Sequence, residues 1–206
     1  CLTGGLSPTS GQVLVDGRDI FNSGAEGMDW LRANVGVCPQ HDVLWDELTA
    51  GEHVELFGAM RGISVAVSDE ETGSRAEDAL VAHALGGVDM LGKADELVRT
   101  FSGGQKRRLS VALALLGEPT VVILDEPTTG MDPVVRRKIW ASIERLRAGR
   151  LIVLTTHSME EADALCGRIG IMAYGRLRCL VAVAVMLDDR AGAGASATAI
   201  VMQSDA

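Results

Sequence analysis

VVILDEPTTGMD, residues 121–132, is the stretch from which the fold is read. Val121 to Leu124 form a short continuous apolar run, the pattern of a strand covered on both faces. Such strands belong to parallel sheets with helices packed on either side. Two acids, Asp125 and Glu126, close the run. In open α/β sheets ligands bind at the carboxyl edge of the strands, so the pair stands in a catalytic position. Asp125 is suited to hold magnesium, and Glu126 to orient and polarise an attacking water, as phosphoryl transfer requires. Taken alone, the same residues read equally as a strand end followed by a helix cap.

The pattern extends in both directions. Pro133 opens a helix whose inner face carries Ile139, Ile143 and Leu146, and LIVLT at 151–155 is a second buried strand. Ser158 and Glu161 have the spacing of a capping box and start a helix through Ala164. Strand–helix–strand–helix alternation implies a parallel sheet with right-handed crossovers. IGIM at 169–172 and the run RLRCL beyond Gly175 predict a final strand or hairpin. Upstream, Leu109, Ala112, Leu113 and Leu116 make one apolar helical stripe after Ser102, ended by Gly117. A helix from Leu80 to Leu85 is closed by Gly86 and Gly87, and residues 65–75 read as a surface loop. Thr49 and Glu52 cap a helix carrying Leu56 and Met60, with Gly62 as its stop. Val35 to Pro39 predicts a short strand, and Asp16-Gly17 an antiparallel hairpin. The domain is expected over residues 1–187, with a helical subdomain at about 49–117 and a disordered tail over 188–206.

Three further clusters carry chemistry. Ser102-Gly103-Gly104-Gln105 opens the clearest helix, where backbone amides and the helix dipole attract an anion. The dipole disfavours Lys106, Arg107 and Arg108 at that end, a conflict that a bound polyphosphate would remove. The plainer reading is a glycine turn with a solvated basic face. His157 follows the strand LIVLTT, and Gln40 follows the strand ending at Pro39. Each stands at a strand's carboxyl edge, yet either residue alone is unremarkable.

Composition narrows the classes. A formal charge of −9 argues against a nucleic-acid surface. The 47% hydrophobic and 3% aromatic content describes an aliphatic core. Cys1, Cys38, Cys166 and Cys179 form no C-x-x-C pair, so they read as free thiols. Leu180 to Leu187 is too short an apolar run to span a bilayer, and the opening residues do not read as a signal peptide.

In combination, Gln40, SGGQ at 102–105, ILDEPTTGMD at 123–132 and TTHS at 155–158 resemble the ABC ATPase family. They correspond in order to its Q-loop, signature, Walker B with D-loop, and H-loop. The resemblance implies a P-loop-NTPase-like α/β fold: a mainly parallel sheet flanked by helices, a helical signature subdomain and an antiparallel N-terminal β piece. It implies ATP and Mg2+ as ligands, with hydrolysis coupled to transmembrane transport. Glu126 becomes the catalytic carboxylate, His157 the γ-phosphate sensor, and Gln40 a magnesium or water ligand linked to the membrane domains. Asp125 joins Gln40 at the metal, while Ser102, Gly103, Gly104, Gln105 and Asp132 contact nucleotide. The implied partners are a second nucleotide-binding domain and the parent's transmembrane domains, on the cytoplasmic face of the membrane. Residues 38–62, 106–117, 124–140, 154–165 and 175–179 look like subfamily A, whose large exporters are often associated with lipids.

The family's phosphate-binding loop, G-x-x-x-x-G-K-S/T, is missing from the 206 residues, as is its aromatic adenine platform. Gly87, Gly92 and Lys93 match its first seven positions, but Ala94 offers no hydroxyl and the run follows a helix rather than a buried strand. The chain is therefore read as cut before or at that loop. The resemblance is expected to end near Cys179, where LVAVAV replaces a Gly-Ser turn. The open functions are an ATPase engine, or a catalytically incompetent fragment or half-site that lends SGGQ to a partner and hydrolyses nothing. A third, a soluble ABC ATPase acting on nucleic acids or ribosomes, is disfavoured by the acidic charge and the subfamily-A likeness. Ser102 and its glycines are expected to face outward, apart from Glu126.

Overall fold

The computed structural model describes residues 2–63, 76–182 and 197–202. The loop expected at 65–75 therefore lies outside the described residues. Strands β1 (Leu14–Val15) and β2 (Arg18–Asp19) pair antiparallel as a separate small sheet. Asp16 and Gly17 both take positive φ, 51° and 74°, as a tight two-residue hairpin turn demands. Helix α1 (Gly24–Asn34) follows, an element the apolar pattern does not announce. Its two glycines weaken intrinsic helicity. One of them, Gly27, is required by packing, because a Cβ there would meet the carbonyl oxygen of Ile20.

Strand β3 (Val35–Cys38) leads into α2 (Ala50–Met60), whose N-cap Thr49 and Glu52 form the expected reciprocal box. Helices α3 (Ala76–Gly86) and α4 (Gly103–Ala114) complete the helical region. Then come β4 (Val121–Asp125), α5 (Pro133–Leu146), β5 (Leu151–Thr156) and α6 (Met159–Leu165). The last elements are β6 (Arg168–Ala173), β7 (Arg176–Ala182) and β8 (Ala197–Met202).

The main sheet has the order β3-β4-β5-β8-β6-β7. Its first five strands run parallel, and β7 returns antiparallel along β6. The disordered tail expected over 188–206 is corrected for 197–202, which form an interior strand between β5 and β6. The small-residue run masks strand formers there, since 197–202 carry Thr198, Ile200 and Val201, and hydrogen-bonding neighbours on both sides settle the conformation.

Alternation along the central strands sorts the core. Val122, Leu124, Ile152 and Leu154 join the large cluster with Leu109, Leu113, Ile139 and Ile143 of the covering helices. Ile123 faces the other way, into a smaller cluster with Ile20, Leu31 and Val35. Burial pushes the Cys38 and Cys166 thiols up to about 12, which leaves them inert. The capping box expected at Ser158 is only half formed. Its hydroxyl accepts from the Glu161 amide at 3.3 Å, but the Glu161 carboxylate turns inward to Thr128 and Trp140.

One close approach sets where the helical region sits on the sheet. A Cβ at Gly36 in β3 would run into the carbonyl oxygen of Ala114 at the end of α4. Gly36→Ala is expected to cost about 1–3 kcal/mol, the usual penalty of overpacking. At this chain size each kcal/mol lowers the melting midpoint by roughly 2–4 °C. Gly92→Ala, at a position with open space around it, should melt within about 1 °C of the parent. Equal midpoints for the two variants in a thermal melt would contradict the packing.

Candidate functional site

The parallel ladder puts three strand exits at one edge. Cys38 pairs with Leu124, and Asp125 with Thr155, so β3, β4 and β5 end nearly level. Gln40, Glu126 and His157 each follow within two residues of their strand's end. Glu126 leaves the sheet at φ 44°, uncommon for a residue with a side chain. Its amide donates to the Thr155 carbonyl (3.0 Å) and hydroxyl (3.1 Å), which hold it in that conformation. Backbone strain retained against these costs gathers at functional sites.

Side chains from separate segments meet on the Glu126 carboxylate. Its Oε2 accepts from Gln40 Nε2 at 3.2 Å and from Thr129 Oγ1 at 2.9 Å, and lies 3.5 Å from His157 Nδ1. The carboxylate is mostly covered, with 18% exposure, whereas His157 reaches into solvent with 57%. Gln40 spends its amide nitrogen on this contact. Asp125 accepts from the Thr155 hydroxyl. Thr129 and Thr155 are contributors that pattern reading missed. The tight turn of 126–129, in which the Thr129 amide returns to the Glu126 carbonyl, is the signal that places Thr129.

The loop bearing Gln40 is held from behind. His53 is fully buried, and its Nε2 accepts from the Trp45 amide at 2.9 Å. That contact puts the ring proton on Nδ1, 2.7 Å from the Thr49 carbonyl. On the other side, Glu161 is buried against the turn after Glu126. Its Oε1 accepts from Thr128 at 2.7 Å and from Trp140 Nε1 at 3.0 Å.

The start of α4 departs from expectation in three ways. First, Ser102 and Gln105 form a full capping box: Ser102 N–H donates to Gln105 Oε1 at 2.8 Å, and the Gln105 amide to Ser102 Oγ at 3.4 Å. Gln105 thus has a local structural task, legible in S-x-x-Q spacing. Second, the basic run is satisfied internally, with no polyphosphate required. Lys106 pairs with Asp46 at 2.7 Å, Arg107 is buried among backbone carbonyls, and Arg108 donates to the Val88 and Asp89 carbonyls at 3.3 Å. Third, Ser102, Gly103 and Gly104 line one cavity of about 420 Å³ together with Gln40, Glu126, Thr129 and Asp132. They share this cavity with the strand exits rather than standing apart from them. Among the described residues no hydrogen bond joins Ser102 to Glu126.

Asp132 serves as N-cap of α5, accepting from the Val134 and Val135 amides at 2.9 and 3.0 Å, with Pro133 in the first turn. The Gly87–Lys93 decoy ends in a short turn where Lys93 pairs with Glu96 at 2.7 Å. Among the described residues no group of three or more His, Cys, Asp or Glu side chains is placed to hold a metal unaided. Asp125 and the Gln40 amide are oxygen donors of the kind magnesium takes, which commonly binds one or two protein oxygens plus waters and phosphates.

The sequence matches the ABC transporter family over residues 1–129. It is 48% identical over 198 residues to ABC transporter A family member 9 of Arabidopsis thaliana, and 47% identical over 198 residues to member 11. These alignments cover 96% of the chain, so the likeness runs past Cys179, where it was expected to end. The chain spans about a fifth of the length of these relatives, 20% in each case. Among solved structures, cbiO1 from Clostridium perfringens, part of an ABC transporter complex, superposes with a TM-score of 0.73 at 28% identity. That match covers 87% of this chain and 68% of the other. A dimeric ATP-binding cassette in a post-hydrolysis state with ADP and phosphate gives 0.70 at 28% identity, over 85% and 75%.

The two signature glycines differ physically. A Cβ at Gly104 would strike Val135 Cγ1 in the first turn of α5, whereas at Gly103 it would meet open space. Gly104→Ala should therefore destabilise the chain by about 1–3 kcal/mol. Val135→Ala should restore much of that loss, and Gly103→Ala should stay within about 0.5 kcal/mol of the parent. Urea unfolding of the four chains checks this, and equal midpoints for the two glycine variants would sink it.

Proposed function

Since the chain belongs to the ABC transporter family, we propose that it carries the water-activating edge and the signature of an ATP-hydrolysing site that drives membrane transport. The observation that carries the reading is the convergence of Gln40, Thr129 and His157 on the Glu126 carboxylate. A carboxylate at a strand exit, polarised by an amide, a hydroxyl and an imidazole, is equipped to orient a water and accept its proton. His157 reaches outward from this edge to the terminal phosphate. Asp125, steadied by Thr155, and Gln40 would hold magnesium, whose role when bound is to neutralise charge on the phosphates. Ser102, Gly103 and the amides of α4's first turn supply the anion-attracting end of a helix.

In this proposal the phosphate cradle comes from outside these residues, because G-x-x-x-x-G-K-S/T does not occur among them. The partners are a second nucleotide-binding domain and membrane-spanning domains. No helix among the described residues is long and apolar enough to cross a membrane. Association with the cytoplasmic face would therefore come through those partners, and a lipid-like cargo follows from the likeness to the A family. Neither nucleic acid nor ribosome is a partner in this reading, given the charge of −9. The domain would occupy residues 1–187, with its helical subdomain at about 49–117. In a second reading the chain lends only its signature, Ser102 to Gln105, to a partner's site.

Joining a phosphate-loop-bearing ABC segment upstream of Cys1 separates the two readings. The joined protein should hydrolyse ATP, and Glu126→Gln should bind ATP normally yet turn it over at least about a hundredfold more slowly. Near-normal turnover in that variant would move the catalytic role away from Glu126. An inactive parent that still stimulates a partner domain would favour the half-site.

A further inference from the structure

Arg107 lies two residues beyond the SGGQ capping box, on the first turns of α4, and its side chain is only 3% exposed. Each of its three guanidinium nitrogens is used. Nε donates to the Pro127 carbonyl at 2.9 Å and Nη2 to the Asp125 carbonyl at 2.6 Å. Nη1 donates to the Pro39 carbonyl, to the Gln40 carbonyl at 3.4 Å and to Asp42 Oδ1 at 3.2 Å. The acceptors therefore fall on two segments, the exit of β4 and the loop after β3. These segments carry Glu126 and Gln40, whose side chains bond to each other.

From this arrangement we infer that Arg107 is a positioning residue that locks the signature helix to both catalytic loops. The lock sets the separation of Gln40 from Glu126. Any displacement of the Ser102-Gly103-Gly104 end of α4 is passed to both residues at once. A guanidinium is suited to this because its planar fork presents five donors in fixed directions. Lysine has the length and the charge but a single nitrogen, which cannot serve two segments in opposite directions. Burial makes the tie stiff: removing it leaves acceptors such as the buried Pro127 carbonyl without a partner. The functional consequence rests on the ATPase reading; the mechanical coupling does not.

Hydrogen exchange on the 206-residue chain without nucleotide tests the coupling. The probes are the bonded amides of Glu126, Thr129 and Met131 on one side, and of Trp45 and Leu48 on the other. The amides of Ala162 and Cys166 in and after α6 serve as the reference. Arg107→Lys and Arg107→Met should speed exchange at both probe sets by about tenfold or more while the reference stays within about twofold. Asp42→Asn, which leaves the carbonyl acceptors in place, should speed it by less than about threefold. If Arg107→Met does not fold, Arg107→Lys and Asp42→Asn still carry the comparison. Unchanged probes in Arg107→Lys, or a rise shared equally by the reference, would overturn the inference. In the joined ATPase, Arg107→Lys should lower kcat and leave KM for ATP within about twofold. If that protein shows no turnover even with Arg107 intact, the ATPase reading fails, and the exchange result still decides the coupling.

Discussion

The parallel ladder of β3, β4 and β5 is the constraint on which the candidate site depends. Parallel strands share a single carboxyl edge, and a common register delivers their following residues to one place. With Cys38 beside Leu124 and Asp125 beside Thr155, the chain leaves the sheet at matched heights. Gln40, Glu126 and His157 therefore need only short excursions to reach one another. A slip of one residue in β4 would turn Asp125 and Glu126 to opposite faces and dissolve the cluster. The apolar alternation that buries Val122 and Leu124 on one face and Ile123 on the other forbids that slip.

Polar ties then convert a shared edge into a defined geometry. Behind the carboxylate, Glu161 anchors the turn through Thr128, and His53 anchors the preceding loop through the Trp45 amide. Buried polar groups of this kind are tolerable only when they are satisfied, and their directionality then fixes position. The basic run of α4 belongs to the same system. Lys106, Arg107 and Arg108 point along three separate paths into the protein's own acceptors, and the helix start shares a cavity with Glu126.

Much of this was legible in the sequence, for physical reasons. Strand exits and helix starts are where local pattern and chemistry coincide, so Gln40, Ser102, Glu126 and His157 could be placed before any coordinates. The elements that escaped are those decided by distant partners. Helix α1 contains Gly27 because of a close contact with Ile20, and that contact is invisible in the helix's own residues. Strand β8 takes its conformation from β5 and β6 on either side. Glu161 has capping spacing, yet its carboxylate is claimed by Thr128 and Trp140, far away in the chain. Arg107 reads as one charge among three until its acceptors are known.

The central claim is that these residues hold the hydrolytic and signature sides of an ATP site without the loop that grips the phosphates. Isothermal titration of the 206-residue chain with MgATP addresses it directly. A micromolar site is worth about 8 kcal/mol. Charge-assisted contacts from a phosphate loop, each contributing about 1.5–3 kcal/mol, would supply most of it. The account predicts no saturable heat at concentrations where ABC domains with an intact loop bind. Saturable micromolar binding to this chain alone would show that Asp125, Glu126, His157 and the start of α4 make a complete nucleotide site by themselves, and the division of labour proposed for it would be wrong.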